Sequence, residues 1–308
     1  MNYDLTELER RPDILNNLIE RYFHCRPVSQ AKIGEGFYGA VYAAVLPADP
    51  GRLAIKCFKH SARHRSEHRQ LELLRPRALL KLPEVYFVHD HTPDLPCEAL
   101  LMEYVDGINA SALPTGHPHR ERFAEALIDN LLHWHETTND FFGFGADRFP
   151  DWVSCLQSRL DNHYRILRHD FSGRVAPPVL AAAEKSLENL RRIFAEPVVP
   201  SLIHSDYNLW NLLVDPASAA ITAVLDPSDA GWADREMDLF QLQNADGDRF
   251  SLLERYQNRA VLSELFPVRK IFYWFWDDIR HLENMGWYDE ERFTSSARRL
   301  LRLMNQYL

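Results

Sequence analysis

The stretch LIHSDYNLWNLLVD, residues 202–215, decides how the rest of the chain is interpreted. An apolar run is interrupted by a histidine, an aspartate and two asparagines, and it then resumes. Polar groups are costly to bury unless each finds a partner, so their position between two apolar runs needs an explanation. Asp and Asn favour turns for purely local reasons, and an Asx-rich turn is therefore the simplest alternative to a ligand-binding loop.

The spacing within this stretch favours a loop with a chemical role. His204, Asp206 and Asn211 give the pattern H-x-D-x-x-x-x-N. In phosphoryl transfer, a carboxylate that accepts a hydroxyl proton and an amide oxygen that binds Mg²⁺ lie on one tight loop. Three residues at this spacing between apolar runs favour a catalytic loop over a plain turn. Asn208 does not fit the metal-ligand spacing, and we expect it to face a substrate.

A glycine-rich pattern lies upstream, in IGEGFYGAVYAAV, residues 33–45. Its G-x-G-x-x-G-x-V spacing runs through Gly34, Gly36, Gly39 and Val41. Glycine lets a backbone approach a phosphate closely because it has no Cβ. A dinucleotide-binding turn shares the first half of the pattern but needs a helix directly after the glycines, and aromatic and β-branched residues follow here instead. A glycine-rich hairpin over a nucleotide is favoured over that turn and over a plain hairpin.

A lysine lies inside the apolar, strand-like run LAIKCFK, residues 53–59. Lysine is seldom buried unpaired, so Lys56 is either an edge-strand residue that reaches water or a nucleotide-binding lysine. In the second case it contacts phosphates and pairs with a glutamate of the next helix. That helix offers Glu67 and Glu72. Glu67 is preferred because its place in the leucine pattern suits an inward-facing position, and Glu72 remains the alternative.

A further aspartate ends the strand-like run AITAVLD, residues 220–226. Asp226 occupies the place of a metal-binding aspartate in phosphoryl transfer. Asp234 and Asp238 lie a turn apart at a predicted helix start, where N-terminal capping and the helix dipole explain both without a ligand. No single pattern is specific, but their order is: glycine loop, strand lysine, helix glutamate, catalytic loop and strand-end aspartate.

Composition narrows the class of protein. The chain has 308 residues, of which 46% are hydrophobic and 26% charged, as in ordinary globular proteins. A formal net charge of −9 argues against a nucleic-acid partner. Four scattered cysteines indicate neither a zinc site nor a disulfide framework and favour a reduced compartment. No apolar run approaches a membrane span and the N-terminus lacks a signal-peptide core, so we expect a cytoplasmic protein without membrane partners.

The character of the chain changes near the segment MEYVDG, residues 102–107. The part before it contains a helical segment ending near Phe23, several strand-like runs and one main charged helix, whereas the part after it is mainly helical. An α+β fold is therefore predicted. Its first domain, a nucleotide-binding lobe, covers residues 1–103, and its second, a larger helical lobe for catalysis and substrate binding, covers residues 104–308.

These motifs, taken in their order along the chain, resemble those of the protein-kinase-like fold. Within that fold, the chain is similar to the aminoglycoside phosphotransferase and fructosamine kinase group of small-molecule kinases. HSDYNLWN resembles the H-G-D-x-x-x-x-N loop of this group, and DREMDL resembles its later aspartate–arginine segment, especially that of fructosamine kinases. The similarity extends from about Ile33 to Leu239. It implies a bilobal fold. The N-terminal lobe would be small, with an antiparallel sheet and one main helix, and the C-terminal lobe would be larger and mainly helical. ATP would bind in the cleft.

The resemblance also implies a role for each matching residue of the transfer machinery. Lys56 would hold the α- and β-phosphates, and Glu67 would orient Lys56. Asp206 would be the catalytic base, while His204 would brace the loop rather than react. Ser205 stands where the group usually has glycine.

The same resemblance assigns the metal and the base of the nucleotide. Asn211 and Asp226 would hold Mg²⁺. The backbone of Glu103, Tyr104 and Val105 would meet the adenine, and the glycine motif would lie over the phosphates.

A small acceptor is expected rather than a protein. Protein kinases have a long activation segment after the metal-binding aspartate, whereas here a predicted helix begins within about a dozen residues. The predicted activity is ATP- and Mg²⁺-dependent phosphorylation of a hydroxyl on a ketosamine, an aminoglycoside or an amino alcohol. Asp229 and Asp234 could receive an ammonium group of such an acceptor. The alternatives are a nucleotide-binding pseudokinase that acts as an interaction module and, less favoured, a protein kinase; the oligomeric state is left open.

Overall fold

The computed structural model describes residues 2–308. They form two compact units, and each is described by itself. The first unit comprises the residues up to Ala110 together with Asn211–Ser228, and the second comprises Ser111–Trp210 and Asp229–Leu308. These units are defined by packing, so the functional division into residues 1–103 and 104–308 stays a prediction.

The first unit is built on a five-stranded antiparallel sheet in the order β1-β2-β3-β5-β4. The strands are β1 (Ser29–Glu35), β2 (Gly39–Val45), β3 (Arg52–Phe58), β4 (Val85–His89) and β5 (Glu98–Glu103). Strand β2 pairs with β3 so that Val41 lies opposite Lys56. The valine of the glycine motif and the strand lysine are therefore cross-strand neighbours.

Three helices belong to the same unit: α1 (Thr6–Arg10), α2 (Asp13–Phe23) and α3 (Arg63–Leu74). The predicted N-terminal helix is thus two helices, α1 and α2. Proline lacks a backbone N–H and disfavours helical geometry at the residue before it, so Pro12 separates them at Arg11. The apolar faces of α1 and α2 pack in one core with β2, β3 and β5, while α3 contacts β4 and β5.

A second, three-stranded sheet completes the first unit. It consists of β6 (Ile108–Asn109), β9 (Leu212–Val214) and β10 (Ile221–Val224), in the order β10-β9-β6. Strands β9 and β10 form a hairpin, and beyond its last pair Leu225 N donates to Asn211 O at 2.8 Å. Asn211 and Asp226 consequently lie at the same open end of this hairpin.

The second unit is mainly helical. Its strands β7 (Gly143–Phe144), β8 (Ser201–Ile203) and β11 (Gly231–Ala233) form a small sheet in the order β7-β11-β8. Its helices are α4 (Arg120–Glu136), α5 (Trp152–Asp170), α6 (Pro177–Glu188), α7 (Leu190–Ile193), α8 (Leu252–Gln257), α9 (Phe266–Met285) and α10 (Glu290–Tyr307). Large aromatic residues of α9, including Phe272 and Phe275, are fully buried in its core. Among the described residues, no helix has both the length and the apolar character needed to cross a membrane.

One buried carboxylate in the second unit makes stability depend on pH. Asp278 of α9 is buried, and its Oδ1 accepts hydrogen bonds from Arg292 Nε at 3.0 Å and Nη2 at 2.8 Å. Burial raises the pKa of Asp278 to about 6, although Arg292 opposes this shift. Because the folded-state pKa lies above the ordinary value, the free energy of unfolding falls as pH rises through this range.

The Asp278→Asn variant should lack this pH dependence, because the amide stays neutral. The quantity to compare is the free energy of unfolding of the variant minus that of wild type. We expect this difference to be roughly 1 kcal/mol larger at pH 8 than at pH 5, because only the wild type loses stability over this range. Urea unfolding at both pH values measures this difference, with the exposed Asp161→Asn as the control. An Asp278→Asn effect that is the same at both pH values would show that this carboxylate does not titrate near pH 6.

Candidate active site

Lys56 of β3 lies between two carboxylates of the first unit. Its Nζ donates to Glu67 Oε1 of α3 at 2.8 Å and also contacts Asp226 Oδ1. The Lys56 and Glu67 side chains are each 12% exposed, whereas that of Asp226 is 52% exposed. Glu72, the alternative partner, is bonded to Arg75 at 2.6 Å. The strand lysine is therefore paired with Glu67, and Asp226 is the more accessible of its two acids.

The charges of these three side chains depend on one another. Burial alone lowers the pKa of Lys56, but Asp226 and Glu67 outweigh it and raise this pKa above its ordinary value. Burial raises the pKa of Glu67 to about 7, opposed by Lys56 and reinforced by Asp226. Two acids thus share one ammonium group, and a further cation bound to Asp226 would relieve their repulsion.

The three charged groups line a cavity of about 420 Å³ in the first unit. Val41 and Ala54 contribute apolar lining from β2 and β3, and Leu213 and Leu225 contribute it from the β9–β10 hairpin. The segment 102–105 lines it as well. Apolar lining combined with a few charged groups is typical of small-molecule and cofactor sites.

All three residues predicted to meet an adenine, Glu103, Tyr104 and Val105, line this cavity. The Glu103 side chain is bonded to Lys81, and Arg52 lies 3.8 Å above the centre of the Tyr104 ring. Both side chains are therefore engaged by neighbouring cations. Recognition of an adenine by the backbone here stays a prediction.

The glycines of the motif differ in their surroundings. A Cβ added at Gly39 would lie 2.2 Å from the carbonyl oxygen of Cys57, so only glycine fits against β3 there. At Gly34 and Gly36 no atom lies within 4 Å of an added Cβ. Among the described residues, the cavity lining includes Val41 but none of these glycines, and the predicted phosphate contact of the glycines stays a prediction.

The two candidate metal ligands fit a magnesium site. Asn211 and Asp226 share the open end of the β9–β10 hairpin, and Asn211 is buried. Among residues 2–308 no group of three or more His, Cys, Asp or Glu side chains could hold a metal. Mg²⁺ is usually bound by only one or two carboxylates, with phosphate and water oxygens completing its shell. One carboxylate and one amide oxygen suit that pattern.

Asp206 lies in the second unit, three residues beyond the end of β8. Asn208 Nδ2 donates to Asp206 Oδ1 at 2.7 Å, and Asn208 Oδ1 accepts a hydrogen bond from Trp210 N at 2.9 Å. Asn208 is buried, so the expectation that it faces a substrate is wrong; it braces the carboxylate instead. In the sequence, the spacing of two residues between Asp206 and Asn208 is the signal that could have indicated this hydrogen bond. Trp210 is 60% exposed in the same loop.

For the phosphotransferase that the sequence predicts, we expect the Asn208→Ala variant to turn over slowly without losing nucleotide affinity. Removal of the amide takes away the hydrogen bond from Asn208 Nδ2 to the Asp206 carboxylate, and misplacement of a reacting group lowers kcat by roughly 10- to 100-fold. Steady-state kinetics with an acceptor that the wild-type protein phosphorylates would show a lower kcat and an unchanged KM for ATP. The control is Asn162→Ala on the exposed surface of α5. A rise in the KM for ATP matching the fall in kcat would indicate a general loss of structure.

Asp238 anchors the backbone of the same loop. It is fully buried, and its two carboxylate oxygens accept hydrogen bonds from His204 N at 2.9 Å and Ser205 N at 2.6 Å. His135 Nε2 lies 3.2 Å from Oδ2. The prediction that both Asp234 and Asp238 serve as helix caps is thus correct for Asp234, which accepts from Glu236 N at 3.0 Å, and wrong for Asp238.

The two residues whose amides Asp238 binds, His204 and Ser205, have surroundings that point to structural roles. Ser205 has a φ of 69°, in the left-handed region that favours glycine. His204 is fully buried and stacks on Trp134, with ring centres 5.8 Å apart. This geometry agrees with a bracing role for His204, and the chemical roles of individual residues stay predictions.

Comparison with known proteins adds independent findings. The family model described as the phosphotransferase enzyme family matches residues 30–270. The uncharacterized protein YcbJ of Escherichia coli (strain K12) is 26% identical over 265 residues, which cover 82% of this chain and 86% of that protein.

Solved structures show the same architecture. A Thermobifida fusca protein provisionally named fructosamine-3-kinase is 22% identical, with a TM-score of 0.69 and coverage of 94% of this chain and 98% of its own. A thermostable mutant of aminoglycoside phosphotransferase APH(4)-Ia, in a ternary complex with AMP-PNP and hygromycin B, is 15% identical. Its TM-score is 0.72, with coverage of 94% and 98%.

These findings confirm three of the predictions made from the sequence. The solved structures establish the α+β, protein-kinase-like fold. The predicted family resemblance and the predicted enzyme class, a small-molecule phosphotransferase, are confirmed as well. Since the family model matches well over half of the sequence, the chain belongs to the phosphotransferase enzyme family.

Proposed function

We propose that the protein transfers the γ-phosphate of ATP to a hydroxyl group of a small molecule, with Mg²⁺ as cofactor. The observation that carries this proposal is the position of Lys56 between Glu67 and Asp226 in the cavity of the first unit. Apolar lining suits a nucleotide base, and a buried ammonium group suits its phosphates. The related APH(4)-Ia complex holds AMP-PNP together with hygromycin B, which supports a nucleotide and a small acceptor as the reactants.

The proposed roles follow from the chemistry of each side chain. Lys56 binds α- and β-phosphate oxygens, and Glu67 keeps its ammonium group in place. Asn211 and Asp226 would hold Mg²⁺, which when bound would neutralise charge on the phosphate oxygens. Asp206 accepts the proton of the acceptor hydroxyl while the hydroxyl oxygen bonds to the γ-phosphorus and the bond to the β,γ-bridging oxygen breaks. ADP is the leaving group.

The chain after Asp226 supports a small acceptor. Strand β11 begins at Gly231, and a helical turn already follows at Arg235–Asp238. The helical turn thus begins nine residues after Asp226, which leaves little room there for a long activation segment that docks a peptide. Ketosamines, aminoglycosides and amino alcohols are the acceptor classes proposed from the sequence.

Calorimetry with the Asp226→Ala variant tests the metal and nucleotide assignment. In the presence of Mg²⁺ we expect its ATP affinity to fall at least about tenfold, because a metal ligand is lost. Without Mg²⁺ its ATP affinity should be unchanged or higher, since Lys56 loses a competing carboxylate. The control is Asp94→Ala, which removes an 84% exposed aspartate of the same unit. An equal loss of affinity with and without Mg²⁺ would contradict the metal role.

A further inference from the structure

Arg159 of α5 is held in place with part of its guanidinium group unused. Its Nη2 donates to Asp229 Oδ2 at 2.7 Å, and its Cζ lies 4.1 Å from the centre of the Phe144 ring. Phe144 is itself fixed because β7 pairs with β11. The Arg159 side chain is 28% exposed, and no other hydrogen-bond partner of its guanidinium occurs within residues 2–308. One edge of the planar group is therefore bonded, and its remaining N–H donors are available.

The strand pairing places this arginine near the proposed catalytic base, within the second unit. Gly231 of β11 pairs with Ile203 of β8. Asp229 lies two residues before Gly231, and Asp206 lies three residues after Ile203, so both lie at the same end of the antiparallel pair. Neighbouring strands are about 5 Å apart, and Arg159 binds Asp229 directly. Arg159 therefore lies at the end of the small sheet from which the loop of Asp206 emerges, where one bound acceptor could meet both side chains.

The acids beside Arg159 already have cationic partners. Arg280 Nη1 lies 3.7 Å from Asp229 Oδ2, so this carboxylate faces two guanidinium groups. Asp277 accepts from Arg280 Nη2 at 2.6 Å and has His281 Nδ1 at 3.4 Å. The charge of both acids is thus already balanced by neighbouring cations, which disfavours the binding of an acceptor ammonium group there.

Asp234, the other acid expected to receive an ammonium group, does not offer a site either. It is buried, and its Oδ2 accepts a hydrogen bond from Tyr273 OH at 2.7 Å. Arg269 Nη1 lies 3.8 Å from the same oxygen. Its carboxylate is thus engaged inside the second unit, so Asp234 offers no place for an ammonium group and Asp229 disfavours one.

We propose that the unused edge of Arg159 binds a carboxylate or phosphate group of the acceptor, so that the substrate is an acidic hydroxyl compound rather than a polycation. Guanidinium groups bind these anions through two parallel N–H···O bonds, and stacking on an aromatic ring fixes the plane for this. The inference rests on the proposed phosphotransferase function and narrows it. Among the acceptors considered, a ketosamine built on an amino acid carries such a carboxylate, whereas an aminoglycoside does not.

Matched acceptors that differ in charge test the proposal through ADP release. One set is gluconate, glucose 6-phosphate, glucose and glucosamine; the other is fructosylglycine and its amide. We expect kcat/KM for an acidic member to exceed that of its neutral or cationic counterparts at least about tenfold. Gluconate and glucose 6-phosphate distinguish a carboxylate site from a phosphate site, and fructosylglycine against its amide isolates the carboxylate on one scaffold.

Variants of Arg159 assign any such preference to this side chain. In Arg159→Gln, KM for the acidic acceptor should rise at least about tenfold with little change in kcat, and the preference over the neutral form should disappear. Arg159→Lys keeps the charge without the two-pronged edge and should retain part of the preference. Affinity for Mg²⁺-ATP should not change. The matched control is Arg165→Gln, an exposed arginine of the same helix.

The outcomes separate this inference from the proposed function. Preference for glucosamine or the amide, or an acid preference that survives in Arg159→Gln, would overturn the acidic-acceptor proposal and leave phosphate transfer intact. ADP release with none of the six acceptors would count against the acidic-acceptor proposal, while Mg²⁺-ATP binding in the same sample would show whether the nucleotide part of the proposed function stands.

Discussion

In the Asp206→Asn variant, phosphate transfer should fall by roughly 10³-fold while ATP still binds with nearly wild-type affinity. The amide oxygen can still accept the hydrogen bond from Asn208 Nδ2, so the geometry of the loop should be retained. The amide cannot, however, take up the proton that the acceptor hydroxyl releases. A loss of kcat with unchanged nucleotide affinity is therefore the expected signature of a missing general base.

Steady-state ADP release and calorimetry with Mg²⁺-ATP measure the two parts of this prediction. The control is Asp161→Asn, an exposed aspartate of the same unit, which should behave like wild type. Wild-type turnover in Asp206→Asn would remove Asp206 from the reaction. A parallel loss of ATP binding would instead indicate that the substitution disturbs the fold.

In the Asp238→Ala variant, both stability and activity should be lost. The backbone amides of His204 and Ser205 would remain buried without their carboxylate acceptor. Each buried donor left unsatisfied costs about 1–3 kcal/mol, so we expect the free energy of unfolding to fall by roughly 3–5 kcal/mol. The catalytic loop would also lose its anchor immediately before Asp206.

Urea unfolding and ADP release test this role of Asp238. Asp238→Asn should also destabilise the protein, because the amide has one acceptor oxygen where two oxygens now accept the loop amides. Asp248→Ala, an exposed aspartate ten residues further on, is the matched control. An unfolding midpoint and turnover equal to wild type in Asp238→Ala would show that the loop does not depend on this anchor.

The part of the site that could be predicted from the sequence is the part fixed by local spacing. Lys56 lies within a recognisable strand, and Glu67 lies on an inward position of the next helix, so their pairing follows from periodicity. Asn211 and Asp226 flank two short apolar runs, and a hairpin between those runs brings their positions to one end. In each case the relevant contact is set by secondary structure.

The contacts that sequence reasoning missed are long-range. From the sequence, Asp238 can be explained locally as a helix cap. Its actual partners, the amides of the catalytic loop, lie 33 and 34 residues away in the chain. Arg159 and Asp229 are 70 residues apart, and nothing in either local pattern indicates that they meet. Such carboxylates acquire their partners only from the packing of the second unit, which periodicity and motif spacing do not specify.

Transfer of labelled phosphate tests the central claim most directly. The protein is incubated with Mg²⁺ and ATP labelled at the γ-phosphate, together with each member of the acceptor panel, and label on the acceptor is measured beside ADP release. We predict acceptor-dependent label in equal amount to the ADP formed with wild type, and a nearly complete loss of label with Asp206→Asn. Label that appears equally with both proteins, or ADP release with no label on any acceptor, would contradict the proposed phosphotransferase mechanism.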